Sequence, residues 1–539
     1  MLRRDLFASL SALAALGAWR RQAQESAEPQ TDASEDSLVA DLEVAERVIG
    51  IRFTDAEREQ AVGAVRDMQQ RFAARPSFEP GQDEVPALRF DPYFGNKPPV
   101  DKRAPAPAAV KAELPADRDD LGFASLARLR GHLDAKEISS VELTQLFLDR
   151  CERLDPKLMA IVTRLDESAL AEAARCDREL AAGESRGFLH GIPYGAKDLF
   201  DTKGIRTTYG AAPFRDRVPD RDARVVQQLR EAGAVLIAKT SLGALAYGDL
   251  WFGGRTRCPW NTELGSSGSS AGSASGVAGG LFPFALGTET YGSIVSPSVR
   301  NGATGLRPTF DSVSREGAMA LCWSLDKVGP LARRAEDALA VFGALAPARA
   351  DDTKLSDMRV GYRPAWFEGQ GGDPRALEAL RAAGVKLVEI ELPEGPFDAL
   401  LTVLFTEAAA AFESLTRSDA DDRLTWQADQ AWPNSFRAAW FTPAIELVQA
   451  DRLRTRLALA YRELFAGVDA MVGPPFADDL VLTTNFTGHP CLVLRSSIRD
   501  GVPQSMCLWG RLGGEATLGR LGGVLEEAFD CWDERPPGF

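Results

Sequence analysis

Gly265-Ser-Ser-Gly-Ser-Ser-Ala-Gly-Ser-Ala-Ser-Gly276 contains no charged residue and leads directly into the apolar run 277–286. A second glycine-containing stretch, Gly287-Thr-Glu-Thr-Tyr-Gly-Ser293, follows that run. Gly/Ser runs usually form flexible linkers, but a linker is not expected on both sides of a hydrophobic segment. Glycine allows a close approach of backbone N–H groups to a bound molecule. We therefore interpret these stretches as turns that carry a serine nucleophile and an oxyanion cradle.

Helical and strand-like patterns alternate along much of the chain. Apolar residues recur at helical spacing in residues 125–134, 140–155, 167–182, 223–232, 336–345 and 374–383. Short apolar runs typical of strands lie at residues 235–238, 282–286, 358–362, 385–390, 470–472 and 492–496. This alternation predicts an α/β fold in which residues 119–539 form one large domain, with a mixed β-sheet covered by helices.

The N-terminal residues have a different character. Residues 1–26 contain the pair Arg3-Arg4 and an apolar run of fourteen residues, which is shorter than the roughly 20 residues that span a membrane. They predict a twin-arginine-type leader and export to the periplasm; the alternative is a basic starter helix in a cytoplasmic protein. Residues 37–118 predict a short helical extension and a Pro-rich linker, with a capping box at Thr54 and Glu57.

The composition excludes several classes of function. The chain has 539 residues and a formal net charge of −15, which disfavours nucleic acid as a partner because its binding relies on a basic patch. Its only histidines are His132, His190 and His489, and its seven cysteines form no CxxC pair. We therefore predict no metal and no cofactor, and we expect the cysteines to be small buried side chains.

Two short motifs match serine hydrolases of other kinds. Gly268-Ser-Ser-Ala-Gly272 fits the G-x-S-x-G pattern, with Ser270 as nucleophile and His489 as the available base. That pattern should follow a buried strand, and the preceding residues are not typical of one. Ser324-Leu-Asp-Lys327 fits S-x-x-K, but the companion motifs S-D-N and K-T-G are missing. Because such short patterns arise by chance in long chains, neither decides the mechanism.

Lysine is the remaining candidate for a catalytic base, since histidine is scarce. A lysine must be neutral to act as a base, and burial lowers its pKa from about 10.4. Lys197 lies in the apolar, glycine-containing run Leu189-His-Gly-Ile-Pro-Tyr-Gly-Ala-Lys-Asp198, and Lys239 lies in Leu236-Ile-Ala-Lys-Thr240. Both settings are unusual for a lysine, and composition does not choose between them.

Six motifs, taken together, resemble those of the amidase signature family of Ser–cis-Ser–Lys hydrolases. They occur in the order found in that family and extend over roughly residues 121–539. The motifs are His190-Gly-Ile-Pro-Tyr-Gly-Ala-Lys-Asp198, Gly268-Ser-Ser-Ala-Gly-Ser273, Gly287-Thr-Glu-Thr-Tyr-Gly-Ser-Ile294, Gly302-Ala-Thr-Gly-Leu-Arg-Pro308, Asp326-Lys-Val-Gly-Pro330 and Asn485-Phe-Thr-Gly-His-Pro490.

The resemblance implies roles for three side chains. Lys197 matches the catalytic lysine, Ser269 the bridging serine on a cis peptide bond, and Ser293 the nucleophile. It implies that Lys197 takes a proton from Ser269 while Ser269 takes one from Ser293, which attacks an amide carbonyl to form an acyl-enzyme. Three other candidates match no catalytic role in the family and are interpreted as structural: Lys239, His190 and His489.

The resemblance also implies an oxyanion hole made of backbone N–H groups, those of Thr290, Tyr291, Gly292 and Ser293. The chain departs from the common family pattern at two places. Tyr291 replaces the first glycine of a Gly-Gly pair before the nucleophile, which we expect to narrow the acyl pocket. Many relatives carry an arginine within three residues after the nucleophile, where this chain has Ile294-Val-Ser296, so a carboxylate-bearing substrate is not expected.

The sequence thus predicts an amidohydrolase that cleaves a small carboxamide and releases ammonia or an amine, with a small-molecule amide as its partner and no stable membrane insertion. The alternatives are the glutaminase subunit of a tRNA-dependent amidotransferase, an esterase that uses Ser270, and a non-catalytic protein on the same scaffold. The sequence fixes neither the substrate nor the oligomeric state, and a homo-oligomer is compatible with it. Six aromatic residues either line an apolar pocket or belong to the core: Trp366, Phe367, Trp426, Trp432, Phe436 and Trp440.

Overall fold

The computed structural model describes residues 35–75, 81–96, 107–346, 352–369 and 371–539. The leader predicted for residues 1–26 and part of the predicted Pro-rich linker, residues 97–106, lie outside the described residues. Two compact units are present. One contains the described residues up to Glu84 together with Phe441–Pro443, and the other contains Val85–Trp440 and Ala444–Phe539.

The first unit contains the helices Glu35–Ile49 and Asp55–Ala74. The predicted capping box opens the second helix: the Thr54 side chain accepts a hydrogen bond from the N–H of Glu57, and the Glu57 carboxylate accepts one from the N–H of Thr54 at 2.7 Å. Arg58 of the second helix pairs with Glu46 of the first at 2.8 Å. The predicted helical character of this region is confirmed.

The second unit is built on an eleven-stranded sheet with parallel and antiparallel pairs, which confirms the predicted mixed sheet. The three strands nearest the predicted site pair in parallel, and the others extend the sheet on both sides. In spatial order the strands are Ile161–Arg164, Val235–Thr240, Pro193–Lys197, Ala285–Glu289, Lys327–Ala332, Thr304–Arg307, Cys491–Arg499, Val502–Gly510, Ala470–Gly473, Arg359–Tyr362 and Lys386–Glu389.

Helices pack against this sheet, and their apolar faces are buried. They include all six that the sequence predicts, with boundaries that differ by a few residues. The α-helices of the unit are Leu126–Asp134, Ser140–Leu158, Asp166–Ala181, Arg224–Glu231, Ala271–Ala278, Val295–Asn301, Ala335–Leu345, Arg375–Ala382, Leu401–Ala411, Glu413–Arg417, Trp432–Ala439, Ala444–Gly467, Leu480–Phe486 and Glu515–Phe529. Two short hairpins join Leu250–Trp251 to Gly254–Arg255 and Arg257–Cys258 to Asn261–Gly265.

One strand lies three residues later than the sequence predicts. The apolar run at residues 282–286 predicts a strand there, but the strand is Ala285–Glu289. Pro283 has no N–H to donate to a sheet, and Phe282 is fully buried as part of a connection, in contact with Gly276 and Gly195. The shift places Thr288 and Glu289 inside the sheet, directly before the turn that carries Ser293.

Two further findings bear on the sequence predictions. All seven cysteines are buried and free, as expected for small apolar side chains. Within the described residues, no helix is long and apolar enough to cross a membrane.

Candidate active site

Lys197 ends the strand Pro193–Lys197, near the middle of one half of the sheet. Its side chain is fully buried. Nζ lies 2.8 Å from Ser269 Oγ, 2.8 Å from Thr288 Oγ1 and 3.1 Å from Ser270 Oγ. The amine is therefore surrounded by hydroxyl groups, one of which belongs to the predicted bridging serine.

Burial sets the charge state of the Lys197 amine. It lowers the pKa of Lys197 to about 7, although the carboxylates of Asp326 and Glu289 oppose the shift. The ammonium form of Lys197 loses its hydration when it is buried, and the surrounding hydroxyl groups stabilise its charge less than a neighbouring carboxylate would. At neutral pH a large fraction of the molecules therefore carries a neutral amine, which can accept a proton.

Ser269 lies in the turn that leads into the helix Ala271–Ala278. The Gly268–Ser269 peptide bond is cis, as the resemblance implies. A Cβ at Gly268 would lie 1.9 Å from the carbonyl oxygen of Gly248, so only glycine fits before the serine. This close backbone contact fixes the position from which the Ser269 side chain reaches Lys197.

Ser270 ties the same turn to the neighbouring strand. Its Oγ donates a hydrogen bond to the carbonyl oxygen of Thr288 at 3.0 Å and accepts one from the N–H of Thr288 at 3.1 Å. The N–H of Ser270 donates to the carbonyl oxygen of Ser293 at 3.1 Å. Ser270 thus links the turn of Ser269 to the turn of Ser293: the structure places the side chains of Lys197 and Ser269 in contact, and the backbone of Ser293 is hydrogen-bonded to the residue that follows Ser269.

Ser293 lies in the turn between the strand Ala285–Glu289 and the helix Val295–Asn301, and it is 8% exposed. Gly292 before it has a φ of +83°, a conformation that side chains other than glycine rarely adopt. The N–H of Ser296 donates to the carbonyl oxygen of Gly292 at 2.7 Å. The turn is therefore closed by its own backbone.

Glu289 stabilises this turn through hydrogen bonds to its carboxylate. Its Oε2 accepts hydrogen bonds from the N–H groups of Ile294 and Val295 at 2.7 and 2.8 Å, and its Oε1 accepts from Arg307 at 2.9 Å and Asn485 at 2.8 Å. Burial would raise the pKa of Glu289, but the Arg307 guanidinium and these hydrogen bonds hold it below its ordinary value. Glu289 is thus an ionised, fully buried support for the start of the helix that follows Ser293.

The other side of the turn carries Thr290 and Tyr291. Thr290 Oγ1 donates to the Asp326 carboxylate at 2.6 Å, and this carboxylate also accepts from the backbone of Leu321 and Cys322. Tyr291 is 43% exposed. The side chain of Tyr291 is therefore partly exposed to solvent on the turn that holds Ser293.

Comparison with known proteins identifies the family of this chain. The profile of the family described as Amidase matches residues 142–496. The chain belongs to the amidase signature family. It is 32% identical over 478 residues to the A subunit of glutamyl-tRNA(Gln) amidotransferase from Roseiflexus sp. strain RS-1, a match that covers 77% of this chain and 98% of that protein. It is also 32% identical over 480 residues to the same protein of Methylococcus capsulatus strain Bath, with the same two coverages.

A solved structure shows the same fold. The native peptide amidase from Stenotrophomonas maltophilia is 30% identical to this chain, with a TM-score of 0.68 over 77% of this chain and 98% of that chain. The predicted resemblance to the amidase signature family and the predicted fold class are both confirmed. Residues 35–75 lie before the matched family region.

The geometry does not support an alternative site at the G-x-S-x-G motif, with Ser270 as nucleophile and His489 as base. His489 Nδ1 shares a hydrogen bond with Thr487 Oγ1 at 2.8 Å, and its ring stacks on Phe465 at 4.7 Å. Burial, with a contribution from Arg307, lowers the pKa of His489 to about 3. Since Ser270 faces Lys197 and Thr288, the structure does not bring Ser270 and His489 together.

The two side chains of the S-x-x-K motif, Ser324 and Lys327, do not form a catalytic pair either. Ser324 Oγ accepts a hydrogen bond from Arg454 at 3.0 Å, whereas the Lys327 amine donates to the carbonyl oxygen of Leu325. The two side chains of the motif therefore have separate partners.

Lys239 has the structural role that the resemblance implies. Its amine donates to the carbonyl oxygen of Phe200 at 2.8 Å and to Thr207 Oγ1 at 2.7 Å, and it lies 3.4 Å from the Asp198 carboxylate. His190 is held in a similar way, because its Nδ1 accepts from the N–H of Arg186 at 2.7 Å. These contacts lie outside the hydroxyl cluster around Lys197.

Sequence reasoning missed the supporting residues Thr288, Glu289 and Asn485. A signal for Glu289 was present, since it is the only charged residue between Glu263 and Arg300. A lone carboxylate in such a run needs a buried partner. No group of three or more His, Cys, Asp or Glu side chains that could hold a metal ion is found among the described residues.

Proposed function

We propose that this family member is an amidohydrolase that cleaves the C–N bond of a small, uncharged carboxamide through an acyl-enzyme. The observation that carries the proposal is the distance of 2.8 Å between Lys197 Nζ and Ser269 Oγ, with a fully buried amine whose pKa is about 7. Lys197 serves as the base, Ser269 as the bridge and Ser293 as the nucleophile.

The reaction proceeds in two halves. The neutral amine of Lys197 accepts the proton of Ser269 as Ser269 Oγ accepts that of Ser293, and Ser293 Oγ forms a bond to the carbonyl carbon. The C–N bond then breaks as the leaving nitrogen takes a proton from Ser269, which recovers one from the protonated Lys197, so that the amine is neutral again. Water attacks the resulting ester through the same relay and releases the acid. Proton transfer by positioned groups of this kind contributes about 10²–10⁴-fold to a rate.

Backbone N–H groups support the charge that develops on the carbonyl oxygen. The proposed donors are those of Thr290, Tyr291, Gly292 and Ser293, in the turn that Glu289 anchors. Loss of one such donor typically costs about 3–4 kcal/mol in the barrier. Because the turn is held by buried hydrogen bonds before substrate arrives, its donors need no rearrangement during the reaction.

The charges near the turn favour a substrate without a carboxylate. Val295 stands near the place where many relatives carry an arginine. Burial raises the pKa of Tyr291, and the carboxylates of Asp398 and Asp479 add to that effect, so negative charge lies close to the turn. A substrate carboxylate held there would meet these like charges.

The second candidate is a glutaminase subunit of a tRNA-dependent amidotransferase. It is favoured by the identity of 32% to the A subunits of two such amidotransferases. The charge argument above disfavours glutamine, which carries a carboxylate. Ammonia release from glutamine that appears only after co-purification with a partner protein would support this second function over the first.

The test is a panel of amides graded by the size of the acyl group and of the amine, with released ammonia or amine as the readout. Wild type should cleave at least one uncharged amide, and a fluorophosphonate probe should label Ser293. Ser293→Ala should abolish both activity and labelling, whereas Ser270→Ala should retain the label at Ser293. An inactive wild type, or a label that disappears only in Ser270→Ala, would overturn the proposal.

Export is a separate proposal, supported by Arg3-Arg4 and the apolar run that follows. Residues 1–40 fused to a reporter that works only in the periplasm should give signal in a bacterial host. Replacement of both arginines by lysine should reduce it strongly. A reporter that stays in the cytoplasm with the unaltered residues would contradict export.

A further inference from the structure

An open cavity of about 450 Å³ lies beside the second half of the sheet. It is lined by the last residues of the strand Cys491–Arg499, the first residues of the strand Val502–Gly510, residues 474–476 and the residues that lead into the helix Arg375–Ala382. We call it the distal cavity. Its volume lies in the range typical of sites for small molecules, roughly 300–1,000 Å³.

The directions of the strands place the distal cavity at the opposite end of the sheet from the proposed nucleophile. Ser293 follows the C-terminal end of the strand Ala285–Glu289. Three successive antiparallel pairings lead from this strand to the strand Cys491–Arg499, which therefore runs in the opposite direction. Its last residue, Arg499, lines the distal cavity. The cavity is thus a separate site and not an extension of the site around Ser293.

Ser505 supplies this cavity with a buried hydroxyl group. Its side chain lines the cavity and is 9% exposed. Within the described part of the chain, Ser505 Oγ has no hydrogen-bond partner. A buried polar group without a partner is unfavourable, and such groups are rare in folded proteins. A bound molecule with a polar atom at this point would give the hydroxyl group a partner.

The charged side chains of the distal cavity leave one positive charge uncompensated. Asp373 and Arg375 neutralise each other, because Arg375 donates to the Asp373 carboxylate at 2.7 Å; it also donates to the carbonyl oxygen of Ser496 at 2.7 Å. Arg499 lines the same cavity, is exposed and forms no ion pair with any residue that the structure describes. Its guanidinium is therefore available to a negatively charged ligand.

Apolar side chains form the rest of the lining that concerns us. Phe476 is 57% exposed and lines the distal cavity together with Pro475, Pro503 and Val299. A single exposed apolar residue is ordinary on a protein surface. Here the ring and the prolines border the same cavity as the unpaired guanidinium, which suits a molecule that has one charged and one apolar end.

We propose that the distal cavity binds a small organic carboxylate that carries an aromatic ring. The carboxylate pairs with Arg499, Ser505 Oγ donates a hydrogen bond to the ligand, and the ring packs against Phe476. A guanidinium presents two parallel N–H groups that match the two oxygens of a carboxylate. The single uncompensated charge matches a ligand with one negative charge. This inference is independent of the proposed amidohydrolase function.

The experiment is a titration of the full chain with three fluorinated probes, observed by ¹⁹F NMR. The probes are 4-fluorobenzoate, 4-fluorobenzyl alcohol, which keeps the ring without the charge, and trifluoroacetate, which keeps the charge without the ring. We expect saturable binding of 4-fluorobenzoate, with a Kd at least about 10-fold lower than for either of the other two.

Two variants of the cavity and one control assign the site. Arg499→Gln should raise the Kd for 4-fluorobenzoate by at least about 10-fold, because it removes a charged hydrogen-bond donor. Ser505→Ala should raise it by about 3- to 10-fold. Arg456→Gln is the matched control, since Arg456 is also exposed but does not line the cavity, and it should leave the Kd unchanged. The exposed Arg499 side chain has no partner to lose, so Arg499→Gln should remain folded.

Four results would overturn the proposal. No saturable binding of 4-fluorobenzoate up to about 10 mM would show that the cavity is not a site for this class of ligand. An unchanged Kd in Arg499→Gln would place the bound probe elsewhere, including the site around Ser293. Equal binding of the alcohol would exclude recognition of the carboxylate, and equal binding of trifluoroacetate would exclude recognition of the ring. An unchanged Kd in Ser505→Ala would remove the hydroxyl group from the proposed site.

Discussion

Lys197 Nζ lies 2.8 Å from Ser269 Oγ, and the other groups around this amine are a threonine and a second serine instead of a carboxylate. A neutral amine can donate its two hydrogens to Thr288 and Ser270 and keep its lone pair for the proton of Ser269. A protonated amine has no lone pair to offer. The direction of this one hydrogen bond therefore depends on pH.

The first prediction concerns the pH dependence of activity. Since the pKa of Lys197 is lowered to about 7, the amine is protonated and inactive below that pH and neutral above it. We expect kcat/KM to rise with pH and to level off above an apparent pKa of about 7. The measurement is kcat/KM for one amide between pH 5 and 9. The pH dependence of this ratio reports the pKa values of groups in the free enzyme.

Lys327 supplies the matched control for this profile. Burial, with a contribution from Arg307, lowers its pKa to about 7 as well, but its amine donates to the carbonyl oxygen of Leu325 and not to a serine. Lys327→Met should therefore keep the rise in kcat/KM at the same pH. A profile that loses this rise in Lys327→Met would show that the wrong lysine has been assigned.

The second prediction concerns Glu289. Its carboxylate raises the pKa of Lys197 against the effect of burial, so Glu289→Gln should move the rise in kcat/KM to lower pH. The same change leaves Arg307 buried opposite a neutral amide. Loss of one partner of a buried ion pair costs about 3–5 kcal/mol, so we expect a fall of that size in the free energy of unfolding.

Glu336→Gln is the control for Glu289→Gln. Glu336 pairs with Arg334 at 2.9 Å, but its side chain is 44% exposed. Exposed pairs contribute about 0–1 kcal/mol. The free energies of unfolding of the two variants, measured by urea denaturation, should therefore differ by several kcal/mol. Equal free energies would contradict the role of Glu289 as a buried anchor.

The resemblance to the amidase signature family predicted one site for Lys197, Ser269 and Ser293, and the structure places Lys197 Nζ 2.8 Å from Ser269 Oγ. The sequence did not reveal the partners of Glu289. Arg307 is 18 residues away and Asn485 is 196 residues away, and only the packing of distant strands and helices brings them to one carboxylate. Local patterns contain no information on such contacts.

The aromatic residues show the same limit. Trp432, Phe436 and Trp440 follow each other at intervals of four residues, which predicts one face of a helix. The helix ends at Ala439, so Trp432 and Phe436 are buried while Trp440 is half exposed. The sequence left open whether these rings line a pocket or belong to the core, and the position at which the helix ends decides which of them are buried.

The third prediction concerns the stability cost of the buried amine of Lys327. The pKa of Lys327 is about 7 in the folded protein and 10.5 for an unperturbed lysine. At a pH between these two values, the unfolded chain therefore binds more protons than the folded protein. Stability therefore rises with pH across this range. Lys327→Met removes this cost, so the variant should be more stable than wild type at pH 7. We expect this gain in urea denaturation at pH 7 and a smaller gain at pH 10; a gain that grows with pH would contradict it.

The fourth prediction concerns Gly268, whose hydrogen faces the carbonyl oxygen of Gly248. A Cβ would lie 1.9 Å from this atom, so Gly268→Ala must displace the backbone directly before Ser269. A displacement of about 1 Å in a catalytic group can cost 10²-fold in rate. We expect amide hydrolysis to fall by at least that factor while circular dichroism still shows folded protein. Gly467→Ala is the control, because a Cβ at Gly467 has nothing within 4 Å. If Gly268→Ala kept activity within a few-fold of wild type, contact with Gly248 would not be what positions Ser269.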